Sequence, residues 1–124
     1  MAKIDTIPVF IGYDPREAIA FHTCVNSIIR HATQPVSIHP LALNLLSGYK
    51  ETHTDGSNHF IYSRFLVPHL VGYIGRAIYI DGDMIVKGDI AELWNYASEL
   101  SAFDVAVVKH DYKTKMETRS RFFI

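Results

Sequence analysis

The sequence contains a single cysteine, Cys24, and this scarcity excludes a disulfide framework within the chain. A lone thiol is typical of a protein that folds in a reducing compartment. No apolar run approaches the ~20 residues that a membrane-spanning helix needs. Residues 1–6 also lack the apolar core of a signal peptide. Together these absences predict a cytoplasmic protein without a transmembrane segment.

Charge of one sign is not in excess either. A net charge of -1 over 124 residues gives no general attraction to nucleic acid or to an anionic membrane, so neither partner is expected. A hydrophobic content of 48% with 20% charged residues indicates a globular chain, and its length predicts one domain over residues 1–124. The seven histidines form no close pair at helical spacing, so no zinc site is predicted.

Strand and helix patterns alternate along the chain. Pro40 places the second strand at a sheet edge or a bulge. The predicted strands are 7–13, 36–43, 77–80 and 104–108, and the predicted helices are 14–31, about 57–67, and 89 onward. This order predicts an α/β fold with a mostly parallel sheet and helices in the crossovers.

Capping signals precede two of the helices. Asp14 is an N-cap candidate with Pro15 at the first helical position and Glu17 at the capping-box spacing, and Asp89 repeats that spacing. Pro68 predicts a kink or an early end of the second helix. Residues 44–58 are polar and predict a long loop.

The most informative stretch is an apolar strand, 77–80, that runs into Asp81, Gly82 and Asp83. Side chains alternate along an extended backbone, so both carboxylates are expected to point the same way, with bare backbone between them. Two acids at the exposed end of a buried strand suit a hard divalent cation that also binds phosphate oxygens. An Asp-Gly turn without a ligand is the alternative interpretation.

Ligands of parallel α/β sheets bind beyond the carboxyl ends of the strands. That rule brings Tyr13 and Asp14, at the end of the first strand, to the same edge as residues 81–83. It also brings His110 there, as a possible further metal ligand or as an ordinary surface residue.

Residues 61–70 and 76–94 resemble the core of glycosyltransferase family 8. That pattern is a Tyr-x-Arg-Leu helix, a buried strand running into Asp-x-Asp, then Gly-Asp-Ile and Leu-Trp, and Phe65 departs from it where leucine is usual. The resemblance implies a GT-A fold, Rossmann-like, and a transferase that takes a sugar from a nucleotide donor, expected to be a UDP-sugar. The acceptor is not identified.

The resemblance also implies roles for particular residues. Asp81 and Asp83 would bind Mn²⁺ or Mg²⁺ and, through it, the donor diphosphate, with Gly82 between them. Arg64 stands where the family arginine contacts the donor, and Tyr13 and Asp14 stand where the first strand meets the nucleoside.

Family members continue beyond the point where this sequence ends, and residues 113–124 have no place in the family pattern. We therefore expect the N-terminal part of a longer family domain that lacks the acceptor site, as a truncated, a frameshifted or a deliberately shortened form. A non-catalytic nucleotide-sugar binder or an oligomerising remnant is then an alternative to an active transferase. An open sheet edge and an apolar tail predict a homo-oligomer.

A phosphotransferase of the haloacid dehalogenase type is the less favoured alternative. Its aspartate motif also follows an apolar strand, but it normally lies on the first strand of the chain. A threonine or a similar residue normally lies two places after the motif, where this sequence has Ile85.

Overall fold

The computed structural model describes residues 4–100 and 102–109. Its strands are β1 (Ile7–Gly12), β2 (Val36–Leu41) and β3 (Ile78–Ile80), and its α-helices are α1 (Ala18–His31), α2 (Val67–Leu70) and α3 (Ile90–Glu99). Short 3₁₀ turns are formed by Pro15–Glu17, Leu43–Leu45 and Ser63–Leu66. Residues 44–58 form the predicted loop, except that the first two of them belong to the 3₁₀ turn Leu43–Leu45.

The three strands form a parallel sheet in the order β2-β1-β3. Ile7 of β1 is paired with Val36 of β2, and Val9 is paired with Ile78 of β3. The predicted α/β class is confirmed, and the arrangement is consistent with part of a Rossmann-like GT-A fold. β2 lies at an edge, as Pro40 predicted.

The central strand β1 is buried on both faces of the sheet, and its successive residues point in opposite directions. On one face Val9 and Ile11 pack with residues of α1, α3 and β3. On the other face Phe10 packs with Leu41 and Val67. A central strand buried on two sides explains why β1 is an unbroken apolar run.

The predicted N-cap at Asp89 is confirmed, whereas Asp14 caps the 3₁₀ turn Pro15–Glu17 and not α1 itself, whose N-cap position is Glu17. Asp14 accepts a hydrogen bond from the backbone N–H of Arg16, and Asp89 accepts one from that of Ala91. The Asp89 carboxylate also accepts hydrogen bonds from the backbone N–H and the hydroxyl of Thr33, just past the end of α1. The end of α1 is thereby joined to the start of α3.

The prediction of a helix over about 57–67 is wrong. The chain turns through 59–62, forms the 3₁₀ turn Ser63–Leu66 and continues directly into α2. Pro68 lies in the first turn of α2, where its missing N–H would have no helical partner in any case. Proline therefore begins a helix here instead of ending one.

The predicted strand at 104–108 is also wrong. This segment is not a strand, and Val105, Val107 and Val108 are 74%, 68% and 77% exposed. β-branched residues form a strand only where a neighbour supplies backbone partners, and within the described residues no strand pairs with these valines. His110 and the tail 113–124 lie outside the described residues. Across the described part of the chain, no helix is both long and apolar enough to cross a membrane.

Candidate functional site

The carboxyl ends of β1 and β3 meet through two glycines. A Cβ atom on Gly82 would overlap the backbone carbonyl oxygen of Gly12, and one on Gly12 would overlap the ring of Phe60. Both positions therefore need glycine because the space is filled. The carboxyl ends of β1 and β3, which are distant in sequence, therefore lie side by side at this end of the sheet.

Asp81, the first residue after β3, makes two contacts through one carboxylate oxygen. The hydroxyl of Tyr79 donates to Oδ1 over 2.7 Å, and Nη2 of Arg64 lies 3.2 Å from the same oxygen. The Asp81 side chain is 32% exposed and that of Arg64 is 13% exposed. The carboxylate is thus held at the surface end of a mostly buried ion pair.

Arg64 is held by aromatic rings as well as by charge. Its guanidinium carbon lies 5.2 Å from the ring centroid of Tyr79 and 5.8 Å from that of Phe60. Its Nε donates to the Phe60 carbonyl over 3.3 Å. Rings attract a cation through their negative faces, and the attraction strengthens where water is excluded. Arg64 is therefore a positioned group and not a solvated surface charge.

Tyr79 was not identified from the sequence, although the pattern contains the signal. Ile78 and Ile80 point into one core cluster, so Tyr79 and Asp81 share the opposite face of the strand. Burial is the largest cause that raises the pKa of Tyr79, and the hydrogen bond to Asp81 raises it further. The phenol therefore stays protonated and able to donate.

Asp83 lies in a turn and not in extended backbone, so the expectation that strand alternation continues through this residue is wrong. Gly82 and Asp83 form the turn, and Asp83 is exposed. Burial raises the pKa of the Cys24 thiol, and the charge of Asp83 raises it further. The same charge also contributes to raising the pKa of Tyr79. The charge of Asp83 thus disfavours deprotonation of both the Cys24 thiol and the Tyr79 phenol.

The segment after the turn is attached to α1. The backbone N–H of Val86 donates to Oγ of buried Ser27 over 2.9 Å, and that hydroxyl donates to the carbonyl of Cys24 over 2.7 Å. One hydroxyl therefore satisfies groups on both segments and fixes the path of the chain beyond Asp83.

Asp14 and Tyr13 lie at the end of β1 with other partners. Asp14 is 1% exposed and binds the Arg16 side chain, with a shortest distance of 2.6 Å, and the backbone N–H of His59. The hydrogen bonds from Arg16 lower the pKa of Asp14 far below its usual range. The ring of Tyr13 packs edge-on against Phe21, with centroids 5.2 Å apart. Among the described residues, no hydrogen bond or ion pair links these two side chains to the Arg64–Asp81 pair.

The chemistry of Asp81 and Asp83 suits a hard divalent cation, since carboxylate oxygens are its preferred ligands. Within residues 4–100 and 102–109, no group of three or more His, Cys, Asp or Glu side chains is placed to hold a metal ion. A cation bound by these two carboxylates would take its remaining ligands from water or from a bound anion. The donor set fits a metal shared with a phosphate-bearing ligand.

Comparison with known proteins supplies the family. The model of "Glycosyl transferase family 8" matches residues 25–123. The chain belongs to glycosyl transferase family 8. Arg64 and residues 81–83 lie inside the matched segment of this family 8 chain, whereas Tyr13 and Asp14 precede it.

A similar curated protein is "Protein CDI" of Arabidopsis thaliana. It is 36% identical over 115 residues, which cover 90% of this family 8 chain and 44% of the Arabidopsis protein. The chain thus spans less than half the length of that relative. No solved structure matches this family 8 chain significantly.

Proposed function

We propose that this family 8 chain binds a nucleoside-diphosphate sugar, expected to be a UDP-sugar, at the carboxyl end of β3. Asp81 and Asp83 share Mn²⁺ or Mg²⁺ with the donor diphosphate, and Arg64 contacts the donor. The single observation that best supports this assignment is the Arg64–Asp81 pair, at 3.2 Å, beside the turn that carries Asp83. In a complete transferase the sugar then passes to an acceptor.

The charges at the site support this assignment. One guanidinium and two carboxylates leave a net negative charge, which attracts a divalent cation. With the cation bound the net charge becomes positive and complements a diphosphate. A guanidinium has five N–H donors, so Arg64 can keep Asp81 and still donate to a donor oxygen. The bound cation would act as a Lewis acid that offsets the charge developing on the departing diphosphate.

A nucleotide-sugar binder that does not transfer sugar is the second candidate. In this proposal the groups around Asp81 all bind the nucleotide sugar. Among the described residues, the geometry assigns none to the binding of an acceptor. Family membership favours transfer over this alternative, and it also disfavours the phosphotransferase interpretation of the same acidic motif.

Calorimetric titration with UDP, in Mn²⁺ and separately in EDTA, tests the binding step. We expect Mn²⁺-dependent affinity in the parent, loss of that affinity in Asp83→Ala, and an unchanged circular dichroism spectrum. Asp5→Ala is the matched control, because Asp5 is an exposed aspartate that precedes β1 and so lies toward the opposite edge of the sheet. Undiminished affinity in Asp83→Ala contradicts the assignment of the site.

Release of sugar from a UDP-sugar separates the candidates. A transferase consumes the donor, at least by slow hydrolysis, and a binder leaves it intact. Equal affinity for UDP and for inorganic phosphate points to the phosphotransferase alternative.

A further inference from the structure

The two contacts on Asp81 converge on one oxygen, Oδ1, and this asymmetry has a chemical use. We propose that Tyr79 is a positioning residue that orients the Asp81 carboxylate for the cation. The inference rests on the proposed function, because it assigns a role toward the same metal and the same diphosphate.

The hydrogen bond from Tyr79 and the ion pair with Arg64 together restrict the rotation of the carboxylate. The Tyr79 hydroxyl at 2.7 Å and the Arg64 guanidinium at 3.2 Å both approach Oδ1. Within the described residues, Oδ2 accepts no hydrogen bond. The side chain is also one-third exposed, at 32%. The geometry therefore leaves Oδ2 as the oxygen available to a cation.

Tyr79 is itself held in place. Its ring packs against the cluster of Phe10, Leu41 and Val67, and the Arg64 guanidinium covers it at 5.2 Å. Its backbone belongs to β3 and is paired with Phe10 of the central strand. A hydroxyl on a ring fixed by packing and by a strand is a rigid reference point, and rigid supporting groups orient metal ligands.

The first test is Tyr79→Phe, which removes one oxygen atom and keeps the ring. A hydrogen bond to a charged group is strong enough that we expect the Kd for UDP in Mn²⁺ to rise by at least about tenfold. The Kd for UDP in EDTA should not change, since Arg64 remains. Titration of Mn²⁺ alone, followed by electron paramagnetic resonance of the free ion, should show the same weakening. Tyr96→Phe is the control, because Tyr96 is 59% exposed on α3.

A double-mutant cycle shows whether Tyr79 acts through Asp81. In an Asp81→Asn background the further change Tyr79→Phe should cost no additional Mn²⁺ affinity, because the carboxylate to be oriented has been removed. Additive losses overturn the positioning role, since a merely structural effect of Tyr79 would persist without Asp81.

Tyrosine absorbance provides a readout that does not depend on the folding of the Tyr79 variant. Mn²⁺ binding should perturb the ultraviolet spectrum of the parent, because the hydrogen bond from Tyr79 shares its carboxylate with the metal. The perturbation should be absent in Asp81→Asn. A parent that binds Mn²⁺ with no such perturbation contradicts the proposal.

The outcomes separate the two levels of inference. A parent without Mn²⁺-dependent UDP binding overturns the proposed function and the role of Tyr79 with it. A parent that binds UDP with Mn²⁺, together with a Tyr79→Phe variant that binds equally well, overturns only the role of Tyr79.

Discussion

Replacing Arg64 with alanine should weaken two separable properties, donor binding and stability. A charge-assisted hydrogen bond contributes roughly 1.5–3 kcal/mol. Loss of one such bond from Arg64 to the nucleotide should therefore raise the Kd for UDP by about ten- to a hundredfold. Arg64 is only 13% exposed, so water cannot easily replace its contacts. Its loss also removes the counterion that Asp81 has among the described residues.

The stability effect can be worked from the same contacts. Two cation–π contacts at roughly 0.5–1 kcal/mol each, with an ion pair of up to about 1 kcal/mol, predict a loss of about 1–3 kcal/mol in the free energy of unfolding. Arg64→Lys should be intermediate, because lysine keeps the charge but loses the planar fork that lies over Tyr79 and Phe60.

Calorimetry with UDP and urea denaturation of the unliganded protein measure the two properties. Arg30→Ala is the control, since Arg30 is an exposed arginine in the last turn of α1. If Arg64→Ala binds UDP as tightly as the parent does, the arginine only stabilises the fold and its proposed contact with the donor is wrong. An unchanged unfolding midpoint would show instead that the ring contacts contribute nothing.

Three further predictions concern packing, pH and assembly. Gly82→Ala should destabilise the fold by about 1–3 kcal/mol in chemical denaturation, because the new methyl group overlaps the Gly12 backbone. Gly88→Ala should be tolerated, because it has open space around its Cβ position. The pKa of Asp14 is lowered from 3.8, so its stabilisation is present above about pH 4 and is lost as the pH falls below that value. Asp14→Asn should therefore show a shallower loss of stability in acid than the parent, and parallel curves would contradict this. Light scattering at micromolar concentration should show a homo-oligomer, most simply a two-fold dimer whose interface involves the C-terminal third of the chain, and a monomer would contradict that expectation.

Local signals predicted the early part of the fold well. The apolar run of β1 and the cap at Asp14 act over a few residues, so the sequence specifies them directly. The region from 57 to 70 was mispredicted because its apolar residues were assigned to one long helix that Pro68 would end. Proline is equally suited to the first turn of a helix, and no short pattern distinguishes the two uses.

The acidic residues of the candidate site were also visible in the sequence, but their surroundings were not. Asp81 and Asp83 were identified because they end a buried strand. The contact of Arg64 with Asp81 joins different elements, so it depends on how the chain after Phe60 packs against β3. Tyr79 could have been found from strand alternation alone. The close approach of Gly82 to the Gly12 backbone results from packing between strands, so no periodic pattern in the sequence indicates it.

The attachments of α1 have a consequence for anyone exchanging parts between family members. Ser27 in α1 accepts a hydrogen bond from Val86, and Thr33, just past the end of α1, donates one to Asp89. The stretch that follows Asp83 is therefore hydrogen-bonded at two points to a segment more than fifty residues earlier in the sequence. A chimera could import the acidic loop of another family member without the helix that matches it. The hydrogen bond between the amide at position 86 and the buried Ser27 hydroxyl would then no longer be assured. The two segments should therefore be transplanted together, as one cassette, although they are distant in sequence.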